Sequence, residues 1–164
     1  MVHFAVWLDG VILKIDLTDH LYKVYKGERT MSLPITYEVY EDWHTLYEQV
    51  KDKLAVLSPY DSVTTDELLK RINVSPLYVV SNTGKTKPSK EPFEILFKIT
   101  EWDPLDVVMI GSSPLDLLSA RFFDSRIKVV CVNRYYDCSK YSPFIMSNDL
   151  LSALGSLKRL KIFI

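Results

Sequence analysis

Short, nearly continuous apolar runs recur along this chain, each stopped by a polar turn and separated from the next by helical patterns. They fall at residues 3–8 (His3-Phe4-Ala5-Val6-Trp7-Leu8), 77–80, 106–110 and 127–132. A run that is apolar at successive positions has no solvent-facing side, so it reads as a strand buried on both faces. Such strands alternating with helices predict a parallel sheet covered on both sides, a three-layer, doubly wound, Rossmann-like α/β architecture.

The intervening patterns fill in the layers. Val39, Tyr40, Trp43, Leu46, Tyr47, Val50, Leu54 and Leu57 recur at three- and four-residue steps and predict one long helix. Shorter helices are predicted over 65–72, 92–100, 115–123 and 150–160, the last capped from Ser147-Asn148-Asp149. Residues 11–17 and 21–25 are β-rich and predict a small hairpin standing as a flap over the first strand. Phe144-Ile145-Met146 is a candidate fifth strand, and the apolar tail Lys161-Ile162-Phe163-Ile164 matches no element. No linker or repeat divides the 164 residues, so one domain over 1–164 is expected.

Composition excludes some roles. Twenty Lys plus Arg against twenty-one Asp plus Glu leave a net charge of -1, without the basic stripe of a nucleic-acid binder. No apolar run approaches the roughly 18 residues that span a bilayer, and no charged leader is evident. Cys131 and Cys138 are the only cysteines. Cys131 reads as a free core thiol and the location as cytoplasmic. His3, His20 and His44 have no metal-ligand spacing.

In open α/β sheets, chemistry sits beyond the carboxyl ends of the strands. The groups just after the apolar runs are Trp7-Leu8-Asp9-Gly10-Val11, Ser81-Asn82, Lys87-Pro88-Ser89-Lys90-Glu91-Pro92-Phe93 and Gly111-Ser112-Ser113-Pro114-Leu115-Asp116. In this order and strand context they resemble the four motifs of the haloacid-dehalogenase (HAD) superfamily of phosphatases. These are D-x-D-G-[VT], a strand-ending Ser or Thr, K-P-x-P-x-x-F, and G-D-S-x-x-D.

The resemblance implies a division of labour. The first Asp attacks phosphorus, and the second, here Asp9, is the general acid and base. Ser81, Asn82 and Lys87 would bind phosphate oxygens, and Asp116 would help hold Mg²⁺. The chain departs from this pattern twice. Trp7 stands where the nucleophile belongs, and an indole has no oxygen with which to attack phosphorus or bind a metal. Ser112 stands where a metal-binding Asp belongs.

Losing a covalent nucleophile typically costs about 10⁴- to 10⁶-fold in rate. The reading that follows is a catalytically inactive, cofactor-free, HAD-like binding or assembly subunit, with a protein partner or a homo-oligomer. Lys87 would pair with Asp9 or Asp116 in place of the cation. Tyr22, Tyr25 and Tyr135-Tyr136 offer an aromatic rim for a partner. The alternative is a Mg²⁺-dependent phosphohydrolase in which Asp9 activates water and Asp116 carries the metal. A third possibility is a module that holds a phosphorylated ligand through Ser81 and Lys87. The short stretch between the first two motifs leaves no room for a large cap domain.

Overall fold

The computed structural model describes residues 1–28 and 32–162. Six parallel strands form its sheet: β1 (His3–Trp7), β2 (Leu54–Leu57), β3 (Tyr78–Val80), β4 (Val107–Gly111), β5 (Lys128–Val132) and β6 (Ile145–Ser147). Their order is β3-β2-β1-β4-β5-β6, so the winding reverses between β1 and β4. That reversal leaves a crevice at the carboxyl ends of the two central strands.

Around the sheet lie α1 (Thr18–Tyr25), α2 (Glu41–Val50), α3 (Ser62–Arg71), α4 (Glu91–Thr100), α5 (Pro114–Phe123) and α6 (Leu150–Arg159). Helix α2 packs on α6, and α4 on α5. Every residue of β2 and of β4 is buried. Because successive strand side chains point to opposite faces, burial at every position means that both faces are covered. The doubly wound α/β expectation holds, and no large cap stands over the sheet.

Three expectations are corrected. The long helix stops at Val50, and after a tight turn at Lys51–Lys53 the chain enters β2. Leu54 and Leu57 continue the helical stripe, but Leu-Ala-Val-Leu is equally a short buried strand, and periodicity cannot separate the two. The slot beside β1 decides, where Phe4 to Trp7 pair in register with Leu54 to Leu57.

The hairpin is replaced by a turn and a helix. Leu17 and Leu21 lie four residues apart and both are buried, while Asp16 accepts from the Thr18 backbone N–H and hydroxyl at the helix entrance. One apolar contact per turn plus an Asp16 turn that fixes the entrance favours α1 over a strand. The candidate fifth strand is β6, shifted by one residue. Ile162 packs against the core, and Phe163 and Ile164 lie outside the described residues.

Cys131 is not a free thiol. It closes a disulfide with Cys138, both fully buried. The bridge closes a short loop, for which chain entropy gives roughly 2–3 kcal/mol of stabilisation. Cys131→Ala/Cys138→Ala is expected to lower the unfolding free energy in water by that amount and to steepen the urea slope slightly, because the uncrosslinked denatured chain exposes more surface. Two alkylatable thiols in denatured, unreduced protein would contradict the bridge.

Candidate functional site

The tips of β1 and β4 are drawn together by two glycines. Beyond Trp7, the Leu8 N–H donates to Leu57 O at 2.8 Å, and the chain turns at Gly10 with φ +78°. Left-handed backbone favours glycine. A side chain on Gly10 would also land on the Ser112 hydroxyl. At the end of β4, a Cβ on Gly111 would run into the Asp116 carboxylate.

Asp116 is placed by the start of α5. Ser113 accepts from the Leu115 N–H, and Asp116 Oδ2 accepts from the backbone N–H groups of Ser112 at 2.8 Å and Ser113 at 3.2 Å. This is a capping box. It commits one carboxylate oxygen to the helix end and leaves Oδ1 facing the crevice.

Lys87 enters from the segment before α4. Its Nζ donates to Asp9 Oδ2 at 2.7 Å and to Asp116 Oδ1 at 2.5 Å. The same ammonium lies 4.4 Å from the centroid of the Trp7 ring, within cation–π range. The Lys87 side chain is 1% exposed, those of Asp9 and Asp116 4% and 0%. Trp7 is wholly buried and meets Phe93 edge-on. Its indole N–H and the Oδ1 of Asp9 have no hydrogen-bond partner among the described residues.

Two buried carboxylates thus share one ammonium. Burial alone would strip the charge from Lys87, but Asp116 and Asp9 beside it raise its pKa and keep it protonated. Asp116 is pushed up from 3.8 to about 6, first by burial and then by Asp9, with Lys87 opposing. A raised carboxyl binds its proton more tightly folded than unfolded, so its ionisation costs stability. As pH rises from about 4 to about 6, wild-type stability is therefore expected to fall relative to Asp116→Asn. Parallel pH–stability profiles would show that the carboxyl titrates normally.

Asp42 behaves oppositely. Burial would raise its pKa, but hydrogen bonds from Arg134 and the Leu150 N–H, together with the Arg134 charge, bring it below 3.8. Its stabilisation is present above the ordinary carboxylate range and is lost as pH falls through its own lower value.

Of the residues singled out in the sequence, the fold gathers Trp7, Asp9, Lys87, Ser112 and Asp116 at the β1–β4 crevice. Ser81 and Asn82 stand at a different strand end, although Asn82 lines the same cleft as Lys87. These follow β3, two strands out from β1, roughly 10 Å at ordinary strand spacing. Asn82 spends its amide on Pro59 O and the Gly84 N–H. The strand beside β1 ends instead in Ser58, which is buried and receives hydrogen bonds from the Tyr60 N–H and the Thr65 hydroxyl. Missing β2 in the sequence meant missing Ser58.

A second group went unnoticed. Arg134 makes two bonds to Asp42, at 3.0 and 2.9 Å, donates to Val11 O at 3.2 Å, and lies 3.6 Å from the Tyr40 ring centroid. It ties the loops after β1 and β5 to the start of α2. Tyr135 bonds to Tyr40 and Tyr136 to Asp16, while Tyr22, Tyr25 and Tyr135 remain about half exposed. Below α1 a cleft of about 680 Å³ is lined by Leu21, Val24, Tyr25, Leu33, Asn82 and Lys85, among others.

A divalent cation does not fit the site as built. Only two carboxylates face the crevice, an ammonium lies between them, and the flanking Trp7 and Ser112 bring no anionic oxygen. Among the described residues no group of three or more His, Cys, Asp or Glu side chains could hold a metal ion. No helix among them is long and apolar enough to cross a membrane.

The fold is that of the HAD-like hydrolases. A haloacid dehalogenase-like hydrolase from Streptococcus pneumoniae superposes with a TM-score of 0.73 at 13% identity, covering 96% of this chain and 98% of that one. L-2-haloacid dehalogenase from Xanthobacter autotrophicus gives 0.72 at 13% identity, over 97% and 99% of the two chains. A HAD phosphatase from Thermococcus onnurineus gives 0.67 at 16% identity, over 96% and 98%. No protein-family model matches the sequence, and no curated protein matches it.

Proposed function

We propose that this protein is a non-hydrolysing HAD-fold binding or assembly subunit, working through a protein partner or a second copy of itself. One observation carries the reading. The position from which a nucleophilic carboxylate would attack is filled by buried Trp7, and the cation beside it is the side chain of Lys87 clamped by Asp9 and Asp116. Each group that phosphoryl transfer would require is either replaced or engaged elsewhere. The half-exposed Tyr22, Tyr25 and Tyr135 supply an aromatic surface of the kind that protein interfaces favour.

Binding of a phosphorylated ligand by Ser81 and Lys87 draws less support. The trio of Asp9, Lys87 and Asp116 sums to one negative charge when all three are ionised, which repels an anion, and Ser81 stands two strands away.

The hydrolase reading is tested with p-nitrophenyl phosphate and Mg²⁺ on wild type and Asp9→Asn. Both are expected to stay at the uncatalysed rate. Metal-dependent turnover that Asp9→Asn abolishes would establish the phosphohydrolase with Asp9 activating water and Asp116 carrying Mg²⁺. The self-association arm is read by light scattering. Tyr22→Glu/Tyr25→Glu is expected to shift any oligomer to monomer, and an unchanged mass would move the interface elsewhere.

A further inference from the structure

We infer that the Cys131–Cys138 bridge is a redox-operated lock: closed, it pins the loop after β5 against the entrance of α1, and reduction by a dithiol frees both. The inference goes beyond the non-hydrolysing reading. It concerns how the aromatic surface is held and needs no partner to exist.

The enclosed loop is the one that fastens its neighbours. Cys131 lies in β5, and Cys138 opens the short helical turn Cys138–Tyr141. Between them stand Arg134, Tyr135 and Tyr136, and each reaches another part of the chain. Arg134 bonds to Asp42 at the start of α2 and to Val11 O in the turn after β1. The Tyr135 hydroxyl meets that of Tyr40 at 2.9 Å. Tyr136 donates to Asp16 Oδ2 at 3.0 Å, while Asp16 Oδ1 accepts from the Thr18 N–H and hydroxyl at the entrance of α1. One short loop thus serves α1, α2 and the turn after β1.

Beyond the bridge there is a second mooring. The Arg121 guanidinium of α5 donates to Tyr141 O and Ser142 O. Opening the bridge therefore lengthens the free segment between β5 and that mooring without undoing either. A longer free segment has more conformations to lose, so each bond made from it weakens. Arg134 sits in a mostly buried ion pair and holds its place best. Tyr135 and Tyr136 have only single hydroxyl bonds to keep them. The entrance of α1 then relies on buried Leu17 and Leu21 and on the Thr18 and Ser113 hydroxyls, which bond at 2.9 Å. Tyr22 and Tyr25 ride on α1, and Tyr135 on the loop, so the closed bridge fixes all three half-exposed rings in one arrangement.

The reduced state has a place for its proton. Asn133 Oδ1 lies 3.8 Å from Cys131 Sγ, an acceptor that a thiol can use and a bridged sulfur cannot. In the reaction a dithiol attacks one sulfur as its thiolate, the S–S bond breaks, and the reductant closes its own disulfide. Two electrons and two protons pass to the protein, leaving two thiols. Both cysteines are buried, so the exchange proceeds through local opening of the loop while the sheet stays intact.

Amide hydrogen exchange, read by mass spectrometry on the full chain before and after dithiothreitol, tests this. Wild type is expected to yield two alkylatable thiols while still folded. Exchange over 16–25 and 133–141 should then rise roughly five- to tenfold, as the loss of one or two hydrogen bonds implies. Exchange in β4 and α4 should not change. Cys131→Ala/Cys138→Ala should exchange like reduced wild type and ignore the dithiol. Tyr136→Phe should already speed exchange in α1 when oxidised, leaving only the loop to respond to reduction.

Equal exchange over 16–25 in the two redox states of wild type overturns the inference. So does a rise spread evenly over β4 and α4, the mark of a staple for the whole fold. A bridge that dithiothreitol opens only in urea overturns it as well.

Discussion

Asp116→Ala is expected to destabilise the protein by about 4–6 kcal/mol, the sum of a broken buried ion pair and a lost helix cap. Asp116 has no exposed surface and holds three donors: Lys87 Nζ and the N–H groups of Ser112 and Ser113. Truncation leaves the ammonium with Asp9 alone and two buried amides with nothing. Asp116→Asn keeps an oxygen for those amides but turns an NH₂ group toward the ammonium, so its cost should fall between zero and that of alanine. Urea unfolding measures both. A loss below about 1 kcal/mol for Asp116→Ala would mean that the trio contributes nothing beyond its own desolvation.

The second large effect is at Trp7. Trp7→Ala empties a fully buried site and is expected to cost about 3–5 kcal/mol. The lost contact with the Lys87 ammonium adds roughly 1 kcal/mol more. Trp7→Phe, which keeps a ring but less volume, should cost about 1–2 kcal/mol. A ligand-stacking tryptophan would leave stability nearly unchanged on truncation, so the outcome decides whether Trp7 is packing or recognition. Trp7→Asp should not confer turnover, because the Lys87 ammonium still fills the crevice between Asp9 and Asp116. Phosphatase activity gained by that single change would show that the rest of the machinery is intact.

These expectations concern side chains whose roles were unequally legible in the sequence. The helix start at Ser113-Pro114 and the turn at Asp9-Gly10 are local devices, each encoded within a few residues, and both stand where the motif order put them. The pairing of Lys87 with the two carboxylates was foreseen as a substitution of a salt bridge for a cation. That both would share it, with Trp7 stacked on the same ammonium, was not. Ser81 follows β3 rather than the neighbour of β1, which ends at Ser58, because Leu54 to Leu57 form a strand and not the end of a helix. A four-residue apolar stretch after a helical stripe satisfies either period, and only its pairing with Phe4 to Trp7 settles which one is realised. Arg134 and Asp42 gave no warning, since neither lies in a motif and they are 92 residues apart.

From the chain alone came the α/β class, the order of the turns that follow the strands, and the indole of Trp7 at the tip of the first strand. All of these are read from residue types and short-range spacing. The tertiary structure alone decided which strand lies beside β1, that Cys131 bonds to Cys138, and that one ammonium serves carboxylates 78 and 29 residues away. Lateral pairing and ion-pair partners depend on which segments meet across the sheet, and distance along the chain carries no signal for that. Local propensity shapes the elements, while burial in a shared core selects their neighbours.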